Sequence, residues 1–364
     1  MTSFENNIAD TPGDLLRQQI ESRTTPGLYY AFFDTEKVLF EYSGGKADLK
    51  TGAPVEPSTA FHAFSVTKTF TSIAVMQLAE QGKLRLDDPV KTYWPEFPYG
   101  SSISIRQLLT HSGGLSNPLP ISWIHRAEDD PAFDEQSFFD DIFRRHPKTK
   151  SGPNEKFAYS NLDHIALGRV IQRVSGLSYR QYVEQHLLKP LKLEEDLGFV
   201  RNSRWNMATG YQKAFSFGNL LFGFFLDKKR FMGEKTDGWK SFLPFYVNGS
   251  EYGGLLGKPG AFITFIQDLL RPDSRLLSPE SRREMFTENR LNDGRATGMC
   301  LSWYAGSLQG HPYYCHAGGG GGYYCEIRIY PESGRGSVLF TNRSGFTDER
   351  LLDKTDAAFI SQNG

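Results

Sequence analysis

The sequence predicts an α+β fold: one antiparallel β-sheet built from both chain termini and flanked by helices, with a mostly helical lobe inserted between them. Three observations predict it. Short aromatic-rich runs near the start read as a β-hairpin, helical apolar patterns fill the middle, and short runs split by Gly, Pro, Ser and Asn return past residue 295. At 364 residues the chain exceeds what one hydrophobic core usually fills. The sheet is therefore expected to take residues 1–75 and 250–364 and the lobe residues 76–249, as one unit.

The first helix is expected after Thr11, with Pro12 at its first position and Asp14 completing a T-x-x-D start; Leu15, Leu16 and Ile20 give its buried face. Gly27 to Phe33 and Lys37 to Tyr42, separated by Asp34-Thr35-Glu36, form the hairpin. From Ser65 to Gln81 the pattern turns helical and largely apolar until Gly82 stops it. A helix apolar all round belongs at the centre of a fold. Leu162 to Val174 follows as a helix ended by Gly176, and Ser178 with Gln181 caps the next. Gly298 to Tyr304, Tyr313 to Ala317, Tyr323 to Tyr330 and Ser337 to Thr341 read as the closing strands.

Composition narrows the function. A formal net charge of -1 gives no global reason to expect nucleic acid or an anionic membrane as partner. No run reaches the roughly 18 apolar residues that span a bilayer. The start, MTSFENNIADTPGD, has neither a basic nor an apolar leader region, so a cytoplasmic protein is expected. Cys300, Cys315 and Cys325 are too few and too odd in number for a disulfide framework, and none sits in a C-x-x-C pair. Reduced, packed thiols are expected, and no metal or organic cofactor is implied.

The chemistry gathers in three stretches. In Ser65-Val66-Thr67-Lys68 a helix puts the serine and the lysine on one face. A serine hydroxyl needs a neighbour to take its proton. Lysine can do so once burial brings its pKa from about 10.4 toward neutrality. The Ser65 N–H, at a buried helix start, is a natural oxyanion donor. In the second stretch Gly152-Pro153 precedes Ala158-Tyr159-Ser160-Asn161, where a tyrosine near a lysine can shuttle protons and an asparagine amide can both donate and accept. The third is His316-Ala317-Gly318-Gly319, where glycines in a strand leave room for a substrate carbonyl beside the backbone. Gly319 N–H would be the second oxyanion donor. Each stretch alone has an ordinary explanation: a helix cap with a solvated lysine, a core tyrosine before a cap, a flexible hairpin. Their combination in this order does not.

In that combination the chain resembles the serine β-lactamase and penicillin-binding-protein superfamily, closest to its class C-like branch of esterases and D-amino-acid peptidases. Leu108-Leu109-Thr110-His111-Ser112-Gly113-Gly114-Leu115, Gly253-Gly254-Leu255 and Leu339-Phe340-Thr341-Asn342-Arg343 look like further stretches of that branch, so the likeness runs from about Gly27 to Ser344. It implies a β-lactamase/transpeptidase-like fold. It also implies Ser65 as acylated nucleophile, Lys68 as its proton partner and Tyr159 as general base and acid. Asn161 would contact the acyl substituent and His316 would line the pocket, with Gly318 and Gly319 beside it. Two departures stand out. Histidine replaces the lysine that β-lactamases generally carry in the third motif, so a fixed cation for a substrate carboxylate is missing. His-Ser-Gly-Gly replaces the usual Thr/Ser-Ser-Gly order. No E-x-x-L-N segment of class A type is present, which leaves deacylation to Tyr159.

For substrate, residues 205–246 carry Trp205, Tyr211, Phe215, Phe217, Phe222, Phe224, Phe225, Phe231, Trp239, Phe242, Phe245 and Tyr246. They suit either an acyl-binding wall or ordinary packing on the lobe or a partner subunit; contact with a membrane surface is a further option. The expected activity is that of a carboxylesterase on small or hydrophobic acyl esters. A β-lactamase or D-amino-acid peptidase, acting on amides, is the alternative, and a non-catalytic ligand-binding protein on this fold is a third.

Overall fold

The computed structural model describes residues 11–214, 227–346 and 350–360. Its centre is a six-stranded antiparallel sheet. The strands are β1 (Gly27–Asp34), β2 (Val38–Gly45), β3 (Tyr304–Leu308), β4 (His311–Gly320), β5 (Tyr323–Tyr330) and β6 (Arg335–Thr341), in the spatial order β3-β4-β5-β6-β1-β2. The two ends of the chain meet where β1 pairs with β6, Tyr30 opposite Leu339 and Phe32 opposite Ser337.

Helices cover both faces. On the outer face Leu28, Tyr30 and Phe32 of β1 pack with Leu16 of α1 (Pro12–Glu21) and with Leu351, Leu352 and Ile360 of the C-terminal helix. On the inner face Tyr29, Ala31 and Phe33 meet the largest core. There Phe70 of α2 (Thr67–Glu80) stacks on Phe265 at 4.0 Å. With both faces covered, β1 reads as a continuous buried run rather than an alternating one.

α2 is the central helix: every residue from Thr67 to Leu78 is buried. Its polar members find buried acceptors, Ser72 Oγ donating to the Leu301 carbonyl and Thr71 Oγ to that of Glu251. It runs unbroken across residues 75 and 76, the seam between the two expected segments. It packs against α3 (Asn161–Ser175). α3 begins at the Ser160 cap and stops at Gly176, whose left-handed φ of 76° suits glycine. Thr11 with Asp14 and Ser178 with Gln181 form the expected capping boxes. On α1, Leu16 is buried while Leu15 and Ile20 are only half-buried.

One strand differs from expectation. Residues 298–303 are a buried loop, and the strand begins at Tyr304. Met299, Cys300, Leu301 and Trp303 are all buried, but Gly298 and Ser302 have φ of 71° and 65°, which an extended strand does not allow. Cys300 and Cys325 are buried free thiols and Cys315 is half-buried and free. No described helix is long and apolar enough to cross a membrane.

Candidate active site

Ser65 sits in a tight helical turn, Phe64–Val66, that leads into α2. Phe64 just before it holds φ at +44°, a conformation non-glycine residues seldom adopt. The turn is braced on two sides. The Ala63 N–H donates to the Leu255 carbonyl at 2.9 Å and the Leu255 N–H to Thr67 Oγ at 3.1 Å. Behind it lies β4: a Cβ on Gly318 would come within 2.2 Å of the Ala63 carbonyl oxygen and 2.9 Å of the Ser65 nitrogen. Only glycine lets the strand approach the turn this closely.

Two groups reach the Ser65 hydroxyl. Lys68 Nζ is 3.0 Å from Ser65 Oγ, and Tyr159 Oη donates to the same oxygen at 2.9 Å. Lys68 is completely buried, and its Nζ also meets Asn161 Oδ1 and the Tyr252 carbonyl, each at 2.9 Å. Burial pushes the amine well below the ordinary lysine range; the nearby Asp163 opposes this. Burial also raises the Tyr159 phenol, so that it is protonated at rest, although its bond to Ser65 pulls the other way. Tyr159 and Asn161 arrive together because Ser160 caps α3, its Oγ donating to the Ser116 carbonyl at 2.7 Å. The Asn161 N–H donates to Asn117 Oδ1.

Ser65, Tyr159, Asn161 and Gly319 line one cavity of about 340 Å³. Its wall is apolar: Leu119, Pro120, Ile121, Trp123 and Ile124 on one side, Phe242, Val247 and Tyr252 on another. No Asp, Glu, Lys, Arg or His is among the described residues that line it. The Leu119–Ile124 wall was not foreseen, although the apolar run N-P-L-P-I-S-W-I carried a signal. Nor was the Tyr252 carbonyl, which acts through the backbone and leaves no mark in side-chain pattern. Of the aromatic segment 205–246, Phe242 lines this cavity, while Trp205, Tyr211, Phe231, Trp239, Phe245 and Tyr246 are buried in the packing. Phe215, Phe217, Phe222, Phe224 and Phe225 lie outside the described residues.

His316 lines a hollow that adjoins the Ser65 cavity at Tyr159, with Tyr304, Tyr313, Tyr324, Glu326 and Arg328. Its side chain is on the inner face of β4 with Gly318, one residue out of phase with Gly319. Burial, aided by Lys68, pushes its imidazole down to about 3, so it is neutral at physiological pH. Arg328 in the same hollow is engaged by Glu326 and Asp353, each at 2.6 Å.

With that geometry in view, the likenesses fall into place. The family model described as Beta-lactamase matches residues 13–362. Penicillin-binding protein 4* of Bacillus subtilis (strain 168) is 24% identical over 321 residues, covering 85% of this chain and 67% of that protein. Protein flp of Staphylococcus aureus (strain MW2) is 28% identical over 187 residues, covering 50% of this chain and 36% of that protein. The chain thus spans about a third to two thirds of the length of these two relatives. Among solved structures, the octameric penicillin-binding protein homologue from Pyrococcus abyssi superposes with a TM-score of 0.76 at 24% identity, covering 97% of this chain and 77% of that one. The D-amino acid amidase from Ochrobactrum anthropi SV3, complexed with L-phenylalanine, gives 0.76 at 20% identity, covering 97% and 99%. The family match over nearly the whole chain and the shared fold agree: this chain belongs to the beta-lactamase family.

Proposed function

We propose that the chain is a serine hydrolase that forms an acyl-enzyme on Ser65 and acts on uncharged esters with an apolar acyl group. One observation carries the reading: the Ser65 hydroxyl stands between a buried lysine amine at 3.0 Å and a phenol at 2.9 Å. A module that only binds ligands has no use for such an arrangement.

The proton steps balance. Lys68 Nζ takes the Ser65 proton as Oγ attacks the ester carbonyl, and the oxyanion is held by the N–H groups of Ser65 and Gly319. Tyr159 gives its proton to the departing alkoxide. The acyl-enzyme then holds a Lys68 ammonium beside a Tyr159 phenolate; Nζ lies 5.0 Å from that ring's centroid, close enough for mutual stabilisation. Water attacks, giving its proton to the phenolate, and Ser65 Oγ recovers its own from Lys68. Tyr159 acts first as acid and then as base; Lys68 does the reverse.

Charge selects the substrate. Neither a free cation for a carboxylate nor a carboxylate for an α-ammonium group lines the Ser65 cavity among the described residues. In the neighbouring hollow Arg328 is paired and His316 is neutral. A buried charge left without a partner costs several kcal/mol, which favours a neutral ester over a penicillin, a D-alanyl peptide or a D-amino acid amide. The test is a panel of p-nitrophenyl esters of increasing acyl length, a chromogenic cephalosporin and D-alanyl amides. The reading predicts kcat/KM highest for the neutral esters. Faster turnover of the cephalosporin or the amides would replace it with an amide hydrolase.

A further inference from the structure

The stretch at 108–115 supplies a histidine that these proton steps do not use. His111 is fully buried and holds φ at +52°, in the left-handed region. From there it grips the Tyr159 segment at three successive residues. Its carbonyl accepts the Ala158 N–H at 2.8 Å. Its ring lies against the Tyr159 ring, with centroids 4.4 Å apart. Its Nδ1 accepts the Ser160 N–H at 3.3 Å.

Asp163, two residues into α3 from Asn161, fixes the imidazole: its Oδ2 is 2.7 Å from His111 Nδ1, and both side chains are buried. Nδ1 offers one hydrogen or one lone pair, so the short contact to Asp163 is the bond that orients the ring, and the longer approach of the Ser160 N–H is secondary to it. Burial pushes the Asp163 carboxyl well above its usual range and the His111 imidazole well below its own.

We propose that His111, locked by Asp163, is a positioning residue that holds the Tyr159 phenol on the Ser65 hydroxyl. This rests on the acyl-enzyme reading, and the experiment separates the two. His111→Ala removes the ring and the Nδ1 acceptor. His111→Asn keeps an acceptor for the Ser160 N–H and tolerates a left-handed backbone. With a p-nitrophenyl ester, His111→Ala should lower kcat by ~10–100-fold, as misplacing a catalytic group does, and leave KM within about twofold. His111→Asn should recover a large part of that loss. Asp163→Asn, whose amide can still hydrogen-bond Nδ1, should lose less than Asp163→Ala. In a Tyr159→Phe background the step from His111 to Ala should cost little further, because the group being positioned is already gone. An equal loss in both backgrounds, or an unchanged kcat in His111→Ala, overturns the proposal. Fluorophosphonate labelling of Ser65 in each variant shows whether the nucleophile site is still assembled. Turnover surviving in Ser65→Ala would instead remove the acyl-enzyme reading itself.

Discussion

A neutral amine has two N–H donors and one lone pair. Lys68 is offered two fixed acceptors, Asn161 Oδ1 and the Tyr252 carbonyl, and one hydroxyl, that of Ser65. With its hydrogens taken up by the acceptors, the lone pair is aimed at the Ser65 proton. The sign of the pH dependence follows. Burial lowers the Lys68 pKa, so the amine form that accepts the proton is present at pH values where an ordinary lysine is still charged. The kcat/KM profile should rise with pH along a limb lying well below 10.5. Lys68→Met should remove that limb and lower kcat/KM by ~10²–10⁴-fold, the usual worth of a general base. A limb that survives in Lys68→Met would assign the titration to another group. At this scale the meeting of Ser65, Lys68, Tyr159 and Asn161 was legible because the side chains that hydrogen-bond one another are of types with proton chemistry. Tyr252 and His111 were not: the first contributes a carbonyl that any residue has, and the second acts by holding its neighbours in space. Histidine at position 316 announced a missing cation, but not that burial would hold its imidazole neutral in a hollow adjoining the Ser65 cavity at Tyr159.

At the scale of elements, a strand and a turn meet. β4 presses against the Phe64–Val66 turn through Gly318, with Cys325 of β5 donating from its thiol to the Ala63 carbonyl at 3.1 Å. Gly318→Ala would force the strand off the turn, moving Gly319 N–H away from the Ser65 N–H with which it is proposed to share the oxyanion. Activity should fall at least ~10-fold and stability by roughly 1–3 kcal/mol, as for an overpacked core. Steady-state kinetics with urea unfolding checks both. An alanine variant with unchanged kcat would show that this close approach does not set the oxyanion geometry. Helix α3 was legible from its cap and both α2 and α3 from the glycines that stop them, while α2 begins at Thr67 rather than Ser65 because Phe64–Val66 forms a tight turn of its own. The 298–303 loop was not, since four buried apolar side chains within five residues imitate a strand when the cause is tertiary burial. Its anchors are remote in sequence: the Ser302 N–H donates to the Leu109 carbonyl and the Leu301 N–H to that of Met285.

Over the whole molecule, the chain brings three segments to one hydroxyl. The turn before α2 supplies Ser65 and the first turn of α2 supplies Lys68, the start of α3 brings Tyr159 and Asn161, and β4 supplies Gly319. Short runs at both ends and helices between them were enough to foresee one sheet built from both termini. The wall of the cavity was not foreseen, because the aromatic richness of 205–246 drew the expectation there. Among the described residues, the 119–124 run supplies most of the apolar wall, and in it Trp123 is buried against Phe139 and Tyr252. The central claim is that these segments make Ser65 an acylated nucleophile. It is tested most directly by quenching turnover of a slowly hydrolysed neutral ester in acid and mapping the protein by peptide mass spectrometry. The account predicts one acyl group, located on the peptide containing Ser65 and absent from Ser65→Ala, which should also be inactive. Steady turnover with no acyl group on Ser65, or undiminished turnover in Ser65→Ala, would contradict it.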